Sequence, residues 1–284
     1  MAGSVASPAQ KRSPTVIYLA GDSTLAQKTA DKRPETGWGE YLQIQFDETK
    51  IRIENHAQNG RSTKSFIDEG RWQAIVQKLR KGDYVFIEFG HNDEKKEDPK
   101  RYAEARTDYR DNLIKFVNEV RERSALPVLL TPVVRRRFND QGEFFDTHGE
   151  YPEVVREVAA KYKVPLIDMQ RKSEALVKKL GVEDSKKLFL ILRKGENPNY
   201  PDGLEDNTHF SPFGAEQMAR AAAEGIRESS IELAKDLIKD DGEDFQSRLL
   251  PAPLNGGLRL DGFWVWCGSV IKGDDGKYHM FASR

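Results

Sequence analysis

Apolar residues along this chain fall into two rhythms. Short runs rich in β-branched and aromatic side chains occupy residues 16–20 (Val-Ile-Tyr-Leu-Ala), 51–55, 84–89 (Tyr-Val-Phe-Ile-Glu-Phe), 126–131 and 164–168. The second of these alternates; the others are nearly continuous, which predicts strands buried on both faces, as in a parallel sheet. Between them, residues 39–46, 71–80, 109–123, 151–162 and 172–180 space their apolar side chains three and four apart, predicting helices. Asp108 stands where an N-cap would open the third of these. A last helix is predicted over about 213–238, with Ser211 as N-cap and Pro212 at its first position. Strand and helix in alternation predict an α/β, doubly wound sheet. Ligands of such sheets bind beyond the carboxyl ends of the strands, so the strand exits are where chemistry is sought.

Three exits carry groups suited to acyl transfer. The first strand stops at Gly21-Asp22-Ser23-Thr24, a turn that exposes the serine hydroxyl and frees its N–H. The second leads to Asn59-Gly60-Arg61-Ser62, where glycine lets the backbone come close to a ligand. The third ends in Gly90-His91-Asn92-Asp93. The N–H groups of Ser23 and Gly60 and the carboxamide of Asn92 would then form an oxyanion hole. A serine hydroxyl needs a base. Of five histidines (His56, His91, His148, His209 and His279), His209 stands out because Asp206 precedes it by three residues, just before the final helix. In a tight turn, that spacing lets the carboxylate hold Nδ1–H and leaves Nε2 for Ser23. There is no G-x-S-x-G elbow, H-E-x-x-H pair or Walker-type loop.

Composition narrows the picture further. In 284 residues, 45 basic and 46 acidic side chains leave a net charge of −1, giving no reason to expect a nucleic-acid partner. One cysteine, Cys267, excludes an intrachain disulfide and a cysteine-based zinc cluster. No run of apolar residues is long enough to span a membrane, so no membrane insertion is expected. Residues 1–14 are small and polar without the apolar core of a signal peptide, and read as a disordered native tail or a scar left where a signal was removed. Residues 15–240 form the predicted hydrolase domain. An acidic stretch at 240–244 reads as a linker, and residues 261–284 as β-hairpin material with a Gly-Asp-Asp-Gly turn at 273–276.

Together, Gly-Asp-Ser23-Thr, Gly60, Gly-His-Asn92-Asp and Asp206-Asn-Thr-His209 resemble the four sequence blocks of the SGNH (GDSL) hydrolases, in the same order, over about residues 16–238. The resemblance implies a flavodoxin-like three-layer α/β/α sandwich with a five-stranded parallel sheet. It also implies ester hydrolysis through a covalent acyl-enzyme, with no cofactor and no metal. Within that superfamily the chain is similar to the rhamnogalacturonan acetylesterases (carbohydrate esterase family 12). Gly-Asp-Ser-Thr in place of Gly-Asp-Ser-Leu carries this, with residues 59–66, Thr131-Pro132-Val133 followed by Arg135, Arg136 and Phe138, and residues 146–152. This similarity implies removal of acetyl groups from a pectic polysaccharide or oligosaccharide, outside the cytoplasm. A deacetylase of another glycan would carry much the same residues.

Arg135 and Arg136, after the fourth strand, are candidates to bind the carboxylates of such a substrate; alternatively they pair with Glu143, Asp146 or Glu150 in their own loop. Trp38 could stack on a sugar or belong to the core, and Trp72 reads as core. Asp22 and His91 read as structural. Residues 260–269 faintly resemble the first strands of β-propeller glycoside hydrolases, which would imply an additional C-terminal glycan-cleaving domain; a hairpin packed on the esterase is the other reading. A lipid or aryl esterase, and a non-catalytic glycan-binding module, remain alternative functions.

Overall fold

The computed structural model describes residues 14–238, 266–272 and 277–283. The chain divides into two compact units, Met1–Ile238 and Lys239–Arg284.

Five parallel strands form the centre of the first unit: β1 (Thr15–Gly21), β2 (Ile51–Asn55), β3 (Tyr84–Glu88), β4 (Leu126–Leu130) and β5 (Leu166–Ile167), in the order β2-β1-β3-β4-β5. All the pairings between them are parallel. Alternation along β1 sends Ile17 and Leu19 to one face and Val16, Tyr18 and Ala20 to the other. On the second face lie α1 (Thr63–Asp68), α2 (Arg71–Lys78), α3 (Arg110–Glu122) and α4 (Tyr151–Tyr162), burying Phe66, Trp72, Phe116 and Val155. On the first lie α5 (Met169–Asp184) and α6 (Pro212–Glu228), with Val177, Met218 and Ala222 buried. This is the three-layer α/β/α arrangement with flavodoxin-like strand order. The order reverses between β1 and β3, so a ligand crevice is expected at their carboxyl ends, where residues 22–23 and 90–93 emerge.

Several elements differ from what apolar spacing predicts. Residues 39–46 form no helix but two 3-10 turns, Trp38–Tyr41 and Gln43–Gln45. The Trp38 N–H is spent on the Thr24 carbonyl at 2.9 Å and the indole is fully buried, so docking on the turn after β1 takes precedence over helical propagation. Asp108 caps nothing: a wide π turn, Ala105–Tyr109, precedes α3, and the Glu104 side chain accepts from the Arg106 N–H at its start. Helix α6 stops at Glu228, ten residues early, where Ser230 takes a left-handed conformation (φ 54°) and the chain enters a 3-10 turn, Glu232–Asp236. One further pair of strands lies outside the predicted set: β6 (Phe189–Leu192) runs antiparallel to β7 (Leu204–Phe210).

In the second unit, β8 (Trp266–Lys272) pairs antiparallel with β9 (Tyr278–Ser283), within the stretch expected to hold a hairpin. The expected linker at 240–244, residues 261–265 and the 273–276 turn lie outside the described residues, as do residues 1–13.

Candidate active site

The turn after β1 is built by Asp22. Its carbonyl accepts the N–H groups of Leu25 (3.3 Å) and Ala26 (3.0 Å), and its Oδ1 accepts both the N–H and the hydroxyl of Thr24 at 2.9 Å. Ser23 is thereby held at the crest of the turn, 8% exposed. Its Oγ lies 2.9 Å from Nε2 of His209, and Nδ1 of His209 lies 2.6 Å from Oδ2 of Asp206. The other carboxylate oxygen, Oδ1, accepts the N–H groups of Thr208 (2.8 Å) and His209 (3.0 Å). Burial alone would raise the Asp206 carboxyl, but the His209 contact and these two backbone donors outweigh it and hold it at about 2. Asp206 is therefore ionised throughout the neutral range.

His209 and Asp206 do not sit in a free turn. They belong to β7, whose pairing with β6 jumps from Leu190 opposite Asp206 to Phe189 opposite Phe210, so residues 207–209 bulge out of the ladder. The bulge aims the imidazole across the sheet ends at β1. Arg136 braces it: its N–H donates to the Asn207 carbonyl (2.8 Å), its guanidinium to Asn207 Oδ1 (2.8 Å), to the Ser185 hydroxyl (3.0 Å) and to the Val182 carbonyl (2.5 Å). This corrects the expectation that Arg136 binds substrate: it is buried, and three of its five guanidinium N–H groups are spent within the protein. Arg135 is only partly buried, and it too has partners within the protein. It forms an ion pair with Glu94 and donates to the Thr147 hydroxyl (2.9 Å) and the His91 carbonyl (3.4 Å), with its side chain 12% exposed. Its partner is not one of the acidic residues of its own loop. Trp38 is no sugar platform: it is 0% exposed and donates its indole N–H to Glu88 Oε2 at 2.9 Å.

Among the described residues, the Ser23 and Gly60 N–H groups meet no acceptor within the protein. Gly60 has φ +75°, the left-handed region that glycine adopts without strain. The Asn92 carboxamide is fixed at both ends: Nδ2 donates to the Arg61 carbonyl (3.1 Å), and Oδ1 accepts from Arg101 Nη1 (3.3 Å). That leaves the second Nδ2 hydrogen for a ligand. Arg101, itself paired with Asp98 at 2.6 Å, lies close enough to Gly60 that a Cβ there would sit 3.8 Å from Nη1. Arg101 escaped sequence reasoning, because no local motif links it to Asn92.

Behind Ser23 lies a set of buried ionisable groups. Burial, and then the charge of Asp22, pushes the Glu88 carboxyl up to about 8. Burial pushes Asp93 up to about 8 as well, and the His91 imidazole down to about 4. His91 and His148 meet edge to face at 4.5 Å, and Asp22 Oδ2 lies 3.5 Å from His91 Nδ1. Asp22 is structural in this arrangement, building the turn that carries Ser23, while among the described residues neither ring nitrogen of the buried His91 has a hydrogen-bond partner. Among the described residues, no group of three or more His, Cys, Asp or Glu side chains is arranged to hold a metal ion, and no helix is long and apolar enough to cross a membrane.

Comparison with known proteins places this geometry in a context. Residues 19–217 match the model of the GDSL-like Lipase/Acylhydrolase family. The rhamnogalacturonan acetylesterase RhgT of Bacillus subtilis is 41% identical over 233 residues, covering 82% of this chain and 98% of the relative. The probable rhamnogalacturonan acetylesterase YesY of the same organism is 38% identical over 224 residues, covering 79% and 98%. In fold, the chain is similar to the acetylxylan esterase Axe2 of Geobacillus stearothermophilus, with a TM-score of 0.54 at 22% identity, over 78% of this chain and 97% of that one.

Proposed function

The chain belongs to the GDSL-like lipase/acylhydrolase family and is a carboxylic ester hydrolase, and from that premise we propose that it removes O-acetyl groups from a plant cell-wall polysaccharide, rhamnogalacturonan first. The observation that carries this reading is the unbroken hydrogen-bond chain from Ser23 Oγ through His209 to Asp206. The substrate choice is supported by similarity to RhgT over nearly its whole length.

In this reading His209 Nε2 takes the Ser23 proton as Oγ attacks the acetyl carbonyl. Negative charge moves onto the carbonyl oxygen, where the N–H groups of Ser23 and Gly60 and the free Nδ2 hydrogen of Asn92 receive it. Collapse expels the sugar hydroxyl, protonated by His209, and leaves acetyl-Ser23. Water, deprotonated by the same imidazole, then releases acetate. Asp206 fixes the imidazole tautomer and stabilises its protonated form without accepting the proton itself. We propose further that it acts outside the cytoplasm, where a polymeric cell-wall substrate is met.

Acetate release from acetylated rhamnogalacturonan, acetylated xylan and p-nitrophenyl esters of increasing chain length tests the reading. The native protein is expected to prefer the pectic polymer and the two-carbon ester, and Ser23→Ala to lose about 10⁴-fold or more in kcat. Preference for long acyl chains would point to a lipid esterase. No turnover of any ester would contradict the proposal.

A further inference from the structure

Beneath the nucleophile turn lies a cation that the chemistry above does not use. The Lys28 side chain is fully buried, and its ammonium has three oxygens around it: the Ser23 carbonyl at 2.5 Å, Asn59 Oδ1 at 2.7 Å and Glu35 Oε1 at 2.8 Å. Three N–H donors thus meet three acceptors, and none is left for a ligand. Ser23 and Glu35 belong to separate turns of the long connection between β1 and β2, and Asn59 to the turn after β2. Ser23 carries the nucleophile. Asn59 directly precedes Gly60. Glu35 directly precedes Thr36, whose N–H donates to the Phe210 carbonyl at 3.1 Å, one residue beyond His209.

A buried ammonium is an expensive way to fill space, since an apolar side chain of similar length would avoid its desolvation. Burial pushes the Lys28 ammonium down, and the hydrogen bond and charge of Glu35 oppose that shift. What the charge adds over an apolar filler is directional bonding to three separate segments at one point. We propose that Lys28 is a positioning residue for the ester chemistry. Its ammonium fixes the nucleophile turn, the Gly60 turn and, through Glu35 and Thr36, the strand bearing His209 relative to one another. This rests on the reading of Ser23 as nucleophile and His209 as base.

Lys28 touches none of the reacting atoms, so its effect runs through the geometry of groups that do. Displacement of such groups by a fraction of an ångström lowers turnover far more than ground-state binding of a small ester. The test is Lys28→Met, which keeps length and removes charge, assayed with p-nitrophenyl acetate and with a boronic acid that forms a tetrahedral adduct on the serine. In a variant shown to be folded by circular dichroism, kcat is expected to fall about 10–100-fold with KM within about threefold. Boronate affinity is expected to fall by the same factor as kcat/KM, because both report the oxyanion geometry. A folded Lys28→Met protein with native kcat and native boronate affinity would overturn the proposal.

If Lys28→Met does not fold, Asn59→Ala removes one of the three oxygens at a partly exposed position. It is expected to lower kcat about 3–10-fold at unchanged KM, and native kcat in that variant would equally overturn the proposal. A native protein without esterase turnover would sink the esterase reading and this one together. Native turnover left intact by both substitutions would sink this one alone.

Discussion

Glu88, at the end of β3, is a carboxyl enclosed by the protein, with Trp38, Thr24 and Val133 as its donors and the Asp22 carboxylate nearby. Raised to about 8, it holds a proton in the folded chain that the unfolded chain releases at an ordinary glutamate value near 4.5. Between those two values the folded state binds more protons, so stability falls as pH rises through the window, and Asp93 acts in the same direction. Glu88→Gln removes one of the two contributions. His91, held down to about 4 against an ordinary 6.5, opposes both below about pH 6.5. Above that, urea midpoints of the native protein are expected to fall up to about pH 9, and those of the variant to fall less steeply; identical slopes would show that Glu88 is ionised in the fold. At this scale the sequence is informative where one residue's neighbours along the chain set its role. Ser23, Gly60 and Asn92 each follow a strand, and Asp206 reaches His209 across three residues. It is uninformative where the partner is remote. Arg136 reads as a candidate for substrate binding until Ser185 and Asn207, 49 and 71 positions away, enclose it. Lys28 is one of 45 basic residues, with nothing local to mark Asn59 as its partner.

At the scale of elements, the bulge in β7 and the start of α6 act as one unit that holds His209. Ser211, two residues after His209, caps α6 through the Gly214 N–H (3.0 Å) and donates to the Lys187 carbonyl (2.6 Å). Gly214 lets the first turn of α6 lie directly on the chain before β6: a Cβ there would fall 1.8 Å from the Leu188 carbonyl oxygen. Gly214→Ala therefore forces the helix start away from residue 188, and a loss of about 2–3 kcal/mol in stability is expected from denaturant unfolding. Ser211→Ala should cost about 1 kcal/mol. If Gly214→Ala proved no more costly than Ser211→Ala, the close approach would not be a constraint. The cap and the proline are legible because capping is a local matter. The 39–46 segment misleads because helical spacing of apolar residues also suits a chain pinned by remote hydrogen bonds, here Trp38 to Thr24. Strand β6 does carry a signal: residues 188–192 (Leu-Phe-Leu-Ile-Leu) form the same kind of continuous apolar run that marks β3.

At the scale of the whole molecule, the parallel sheet accounts for why groups nearly 190 residues apart meet. Ser23 leaves β1, Gly60 follows β2 and Asn92 follows β3, three adjacent strands whose carboxyl ends face the same way. The strand order reverses between β1 and β3, opening the crevice there. Into it the β6–β7 pair brings Asp206 and His209 from the far end of the unit. A near-zero net charge adds no long-range pull toward any polyion, so selectivity for an acetylated glycan has to come from the crevice itself. The central claim is that this convergence makes Ser23 a covalent nucleophile. The most direct measurement is to treat the native protein with an organophosphate ester that phosphorylates activated serines, and to map the adduct by peptide mass spectrometry while following activity. One adduct per chain, on Ser23, appearing in step with loss of ester hydrolysis and absent from His209→Ala, is the predicted result. Full hydrolysis after complete modification of Ser23, or inactivation with the label on another residue, would contradict it.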